Sequence, residues 1–161
     1  MQFDPTGKDE RLMTDSKVIY RYLHGGKGEV TLVSPRSWKA HTYKFLKPAN
    51  ERDFPEDTIF VHVMHEGRKM YLGMLSGSEF KRTAKSTFNE DTEAVKGARY
   101  IVKMANRQDV VDTKGMLLYH SGRCCYCGRL LDTPKSLAAG IGKKCLAHYN
   151  IHINKVPWDG N

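Results

Sequence analysis

The chain has 161 residues, 40% of them hydrophobic and 27% charged, with 26 Lys and Arg against 18 Asp and Glu for a formal net charge of +8. That is the length of one domain and the composition of a folded protein, which sets aside the disordered and fibrous classes. No apolar run approaches the roughly 20 residues that span a bilayer. Met1–Pro5 has neither the basic start nor the apolar stretch of a secretory signal, so a cytoplasmic protein is expected.

The positive charge is unevenly placed. Residues 1–60 carry ten basic and nine acidic side chains, residues 61–120 ten and seven, and residues 121–161 six and two. A basic C-terminal segment attracts polyanions within about a Debye length, and nucleic acid is the commonest polyanion in a cell.

Residues 1–27 read as an N-terminal arm. Asp15 or Ser16 caps a short helix over Lys17–Leu23, which Gly25-Gly26 stops. Strands follow over Glu29–Ser34 and Lys39–Leu46, joined by the turn Ser34-Pro35-Arg36-Ser37. A polar loop leads to Thr58–His65, where β-branched residues alternate, and Glu66-Gly67-Arg68 turns that strand into Lys69–Leu75. A further short strand is expected at Phe80–Thr83. Ala94, Val95, Ala98, Ile101, Val102 and Ala105 then recur at helical spacing behind caps at Asn89 and Asp91. One apolar stripe of this kind packs across a small antiparallel sheet. Met116–Tyr119 reads as a strand leading to the cysteines. The expected fold is α+β: a small antiparallel sheet with one packed helix over 28–113, a zinc-stabilised treble-clef-like module over 114–150, and a tail over 151–161 that pairs weakly or frays.

All four cysteines lie between positions 124 and 145. A secreted disulfide framework spreads its cysteines more widely. Cys124 and Cys127 form C-x2-C, and Cys145 with His148 forms C-x2-H after seventeen intervening residues, a spacing that reads as a Zn(II) site. A C-x2-C turn followed by Gly128 points two thiolates at one place, and the second pair sits on the first turn of a helix, where positions three apart share a face. The expected metal ligands are Cys124, Cys127 and Cys145, with His148 or His120 as the fourth. His148 has the better helical geometry, whereas His120 would reach back from the preceding strand. Cys125 points away at the start of the knuckle. Such a closed site is structural and folds a segment too small to fold alone.

The run His120-Ser121-Gly122-Arg123-Cys124, then Cys127-Gly128-Arg129 and Leu131, Ser136 and Gly140-Ile141-Gly142 with Cys145, resembles an uncharacterised zinc-binding family of phages, plasmids and bacteria. Gly28–Pro35 and Tyr71-Leu72-Gly73 resemble that family's upstream strands more weakly. The chain departs from the family pattern at Cys125, where the family varies, and at Lys143, where proline is usual. The resemblance implies a mobile-element origin and a zinc site, favours His120 over His148 as the fourth ligand, and implies no activity.

Gly140-Ile141-Gly142-Lys143-Lys144 is also similar to the hairpin of a helix-hairpin-helix motif. Within the zinc reading it still combines a glycine turn, a helix N-terminus and two lysines, which suits a phosphate. Lys39, His41, Tyr43, Phe45 and Lys47 share one strand face, which either stacks bases or faces the core; Phe45 is expected in the core, with Tyr43 and Trp38 undecided. His62 and His65 face opposite sides of their strand. No P-loop, G-x-S-x-G or H-E-x-x-H pattern occurs. The expected function is therefore non-enzymatic: a basic zinc protein of a mobile element that binds nucleic acid, DNA included, with Arg123, Arg129, Lys135, Lys143 and Lys144 on phosphates. The alternative is a protein-interaction module that inhibits host defence or redirects host machinery, whose partner is a host protein or nucleoprotein complex.

Overall fold

The computed structural model describes residues 9–107 and 115–152, with side chains through residue 149. The fold is α+β, as expected. Helix α1 (Ser16–His24) opens it, followed by strands β1 (Lys27–Val33), β2 (Ala40–Leu46), β3 (Thr58–His65), β4 (Arg68–Ser76) and β5 (Glu79–Arg82). Helix α2 (Glu93–Asn106) and strand β6 (Leu117–His120) come next, and then the short α3 (Pro134–Ala139) and α4 (Lys143–His152). All six strands pair antiparallel in the order β5-β4-β3-β2-β1-β6. No helix among the described residues is long and apolar enough to cross a membrane. Met1–Pro5 and all but the first two residues of the expected tail lie outside the described residues; those two residues continue α4.

The strand boundaries follow the alternation of the sequence. Val30, Leu32, Tyr43, Phe45, Ile59, Val61, Val63, Leu72 and Leu75 point to one face and are buried there. Burying them removes apolar area from water at about 25 cal/mol per Å2, which is what holds the helices down. Helix α2 presents Ala94, Val95, Ala98, Ile101 and Val102 to that face. Its N-cap is Thr92, whose side chain accepts from the Val95 amide, one residue past the expected Asp91.

Two readings of the sequence change here. The N-terminal helix is part of the core and not an arm: Ile19, Tyr22 and Leu23 are fully buried and α1 packs beside α2 on the sheet. Asp15 caps it as expected, accepting from the Lys17 amide. The face of β2 that interleaves aromatics and charges is the covered one. Tyr43 joins Phe45 in the core and its hydroxyl donates to the Ala94 carbonyl at 2.7 Å. Trp38 stands in the β1–β2 turn at φ 58°, 53% exposed.

Burial also sets a pH dependence. His24 lies between two carbonyls, with Nδ1 2.8 Å from Tyr20 O and Nε2 2.8 Å from Gly77 O. Burial disfavours the imidazolium more than the two carbonyls favour it, so His24 titrates below its ordinary 6.5. His62 is also lowered, by burial and then by Lys69 and Lys44. The unfolded chain then binds protons that the folded chain refuses. Stability is present above the unfolded-state value of about 6.5 and is lost as pH falls below it toward the folded values. Thermal midpoints measured from pH 7.5 to 5 should fall, and His24→Gln should flatten that slope. A flat wild-type curve over this range would refute the assignment.

Candidate metal centre

The chain leaves β6 through Ser121 and Gly122 into a tight knuckle. The Cys124 amide donates to the Arg129 carbonyl at 2.8 Å and the Gly128 amide donates back to the Cys124 carbonyl at 2.9 Å. This closes the C-x2-C turn and brings the two sulfurs to one side. Arg129-Leu130-Leu131, whose sequence reads as a strand, forms only a single bridge between Arg123 and Leu130, and Leu131 donates to Gly122 O at 2.9 Å. Asp132-Thr133-Pro134, whose sequence reads as a turn, starts α3 instead. Thr133 and Ser136 form a reciprocal capping box with Pro134 in the first turn, a helix start signal that the sequence carries.

Helix α3 stops at Gly140, which takes the left-handed conformation at φ 70°. A Cβ there would lie 2.8 Å from the Tyr22 ring, so both the backbone and the packing require glycine. Two residues later α4 begins, as expected, and its first turn carries Cys145.

The result is a group of three thiols. The sulfurs of Cys124, Cys127 and Cys145 all lie within 4.8 Å of one another, with Cys124 buried and the other two half-buried. The amide of Gly142 donates to Cys124 Sγ at 3.4 Å. Burial alone would raise the Cys124 thiol, but the amides of Gly142, Cys127 and Tyr126 and the Cys127 side chain hold it below its ordinary value. Cys145 moves the other way, pushed up to about 12 by burial and by its two thiol neighbours. One thiolate is thus stabilised, and further ionisation beside it needs a cation among the sulfurs. A soft, tetrahedral divalent ion satisfies that donor set.

The remaining cysteine and the two histidines lie elsewhere. Cys125 is buried away from the cluster. Its amide donates to Gly140 O at 3.1 Å, its carbonyl accepts from Lys27 at 2.8 Å, and its thiol faces Arg21 O at 3.8 Å. Burial holds that thiol far above its ordinary value. Gly25 allows this docking, since a Cβ on it would fall 2.6 Å from Cys125 O. Cys125 therefore fastens the knuckle to α1 and β1.

His120 is not brought to the sulfurs. It is 1% exposed and stacks on Tyr22, with ring centroids 5.2 Å apart. Nδ1 accepts from the Gly122 amide at 3.0 Å, which leaves the Nε2 proton to donate to Leu137 O at 2.6 Å. Burial keeps this ring neutral, outweighing the Leu137 carbonyl. The preference for His120 over His148 as fourth ligand thus meets a ring whose two nitrogens are already used, one by its own loop and one by α3. His148 lies on the exposed side of α4, edge-on to Tyr126 at 5.7 Å between centroids, and is outside the three-sulfur group.

Arg123, Arg129, Lys135, Lys143 and Lys144 are all exposed, and among the described residues none of them forms an ion pair. A cleft of about 680 Å3 beside the knuckle has a different character. It is lined by Tyr20, Tyr126 and Tyr149, but sets Glu51, Glu56 and Asp57 against Lys47 and Arg52. That balance does not favour a polyanion.

Residues 119–150 match the model of DUF6011, a family of unknown function. The match spans the end of β6, the knuckle, α3 and most of α4, and leaves the rest of the sheet, with α1 and α2, outside it. No curated protein and no solved structure matches the chain.

Proposed function

We propose that the chain is a non-enzymatic zinc protein of a phage or other mobile element that binds nucleic acid through its C-terminal module. Zinc suits the donor set of three thiols, and the module is treble-clef-like, with α3 in the place of a hairpin strand. His148, one helical turn from Cys145, is the fourth ligand in this reading. Its test is metal affinity. His148→Ala should weaken zinc binding, whereas His120→Ala should lower stability and leave the zinc content intact. The reverse outcome would return the fourth position to His120.

The observation that carries the nucleic-acid reading is that, among the described residues, Arg123, Arg129, Lys135, Lys143 and Lys144 form no ion pair. Five cations project from one small module, and the first turn of α4 carries no acidic residue. Helix N-termini favour anions, and Lys143 and Lys144 stand in that first turn. Contacts of this kind go to phosphates, so binding should fall steeply with salt and discriminate little among sequences. Lys143→Glu with Lys144→Glu should weaken binding at least tenfold at moderate salt. The double-logarithmic salt slope on duplex DNA should shrink by about 2, near 0.9 per lost phosphate contact. Unchanged affinity and slope would sink the reading.

A second reading rests on Leu130, which is 68% exposed in the knuckle between Arg129 and Leu131. An exposed leucine beside Arg129 and bridged to Arg123 suits a protein contact, and the partner would be a host protein whose defence role is blocked. A stoichiometric partner that survives nuclease treatment of a lysate, and is lost with Leu130→Asp, would favour it over nucleic acid.

A further inference from the structure

Among the described residues the helices cover one face of the sheet, and the opposite face is closed only at its β6 end, where Leu12 packs on Val33, Leu117 and Tyr119. On the other face the alternation places Leu46, Phe60, Met64, Tyr71 and Met74, all half-buried and none in either hydrophobic core cluster. The register arranges them. Lys27, Leu46, Phe60, Met74 and Lys81 form one row across five strands. The neighbouring row is Glu29, Lys44, His62 and Tyr71, and beyond it Thr31 pairs with Thr42 and Met64 with Lys69. An apolar and aromatic stripe thus runs between lysines. Four strand gaps of about 4.8 Å separate Lys27 from Lys81, roughly 19 Å in all.

The aromatic rings meet edge to face: Phe60 with Tyr71 at 6.0 Å, Tyr71 with His62 at 5.7 Å, and Phe54 with Phe60 at 5.0 Å. Nδ1 of His62 is shielded and has no hydrogen-bond partner among the described residues. Four lysines stand on this face against Glu29 and Glu79, and Glu29 already pairs with Lys44 at 3.5 Å. The face is therefore apolar, aromatic and net positive.

We propose that this stripe of the sheet face binds single-stranded nucleic acid, with unpaired bases stacking on Phe60 and Tyr71 and phosphates meeting Lys27, Lys44, Lys69 and Lys81. A duplex hides its base faces, so only a single strand uses rings and lysines together. Lys27 links the two surfaces: its side chain lies 3.4 Å from where a Cβ on Gly128 would stand, so the sheet row begins beside the knuckle. The proposal rests on the nucleic-acid reading above and assigns it a strand preference and a second surface.

The test is fluorescence anisotropy with a labelled oligothymidylate and with a duplex of the same length, using the zinc-loaded full chain. Phe60→Ala with Tyr71→Ala should weaken single-strand binding by about tenfold or more and leave duplex binding unchanged. Tyr71→Phe, which keeps the ring, should bind as the wild type does. Lys69→Glu with Lys81→Glu changes only exposed side chains. It decides the matter if the aromatic variant fails to fold, and it should likewise weaken the single strand alone. If both sheet variants bind the single strand normally while the Lys143 and Lys144 variant does not, the sheet proposal is overturned and the module reading stands. If the wild type binds neither probe, both fall. If the Lys69 and Lys81 variant changes only the sedimentation of the protein, the face belongs to a second copy of this chain and the proposal is again overturned.

Discussion

On the proposed zinc reading, replacing Cys145 with Ser should lower bound zinc from one ion per chain to none after gel filtration. Cys124, Cys127 and Cys145 are the only three ligating side chains grouped within 4.8 Å among the described residues, so no spare thiol replaces the lost one. Outer-shell partners alone are worth 10–100-fold in metal affinity, and a direct ligand should cost more than about a hundredfold. Metal binding and folding are one equilibrium for a segment of this size. The segment from Cys124 to α4 therefore opens in the variant, and limited proteolysis should cut there first. The sheet should survive, because its core is built from α1, α2 and the inward strand residues. Cys125→Ala is the control. Its thiol faces Arg21 O and not the cluster, so zinc content should stay at one. Full zinc in Cys145→Ser, measured by elemental analysis with a thiol titration, would refute the centre.

Tyr22→Ala should be the most damaging change away from the sulfurs. The side chain is fully buried, its hydroxyl donates to Arg123 O at 2.9 Å and lies 3.2 Å from Ser121 Oγ, and its ring stacks on His120. Burial pushes its phenol up to about 12, so the hydroxyl remains a donor across the working pH range. Truncating a buried aromatic to alanine costs about 3–5 kcal/mol, from lost transfer energy and the cavity left behind. Tyr22→Phe keeps the packing and orphans the Arg123 carbonyl, at about 1–3 kcal/mol. Urea denaturation gives both values. Because the ring joins α1 to the knuckle and to Gly140, the alanine variant should also bind zinc more weakly. Normal zinc affinity together with lost stability would show that the sheet and the module fold independently.

Most of the fold is legible in the sequence wherever one periodicity dominates. The β-branched alternation of Thr58–His65, the Glu66-Gly67 turn and the helical recurrence from Ala94 to Ala105 all return as β3, the β3–β4 hairpin and α2. Legibility fails where a signal is short or shared. Ser16–His24 is too brief for its stripe to announce a core helix, yet its Ile19, Tyr22 and Leu23 are wholly buried. The capping box at Thr133 and Ser136 sits among residues that also read as a turn, and α3 is six residues long.

The cysteine spacing by itself determined which sulfurs can meet, because a C-x2-C turn and a helix start hold their side chains by local backbone geometry. It also determined that Cys125 would turn away from Cys124. The tertiary structure alone decided where His120 and the sheet faces lie. His120 is drawn from the sulfurs by Leu137, seventeen residues on, a partner that no local pattern announces. A period of two marks the two faces of a strand without telling which one helices will cover. Only the packing of α1 and α2 buried Tyr43 and Phe45 and left Phe60, His62 and Tyr71 on the uncovered side.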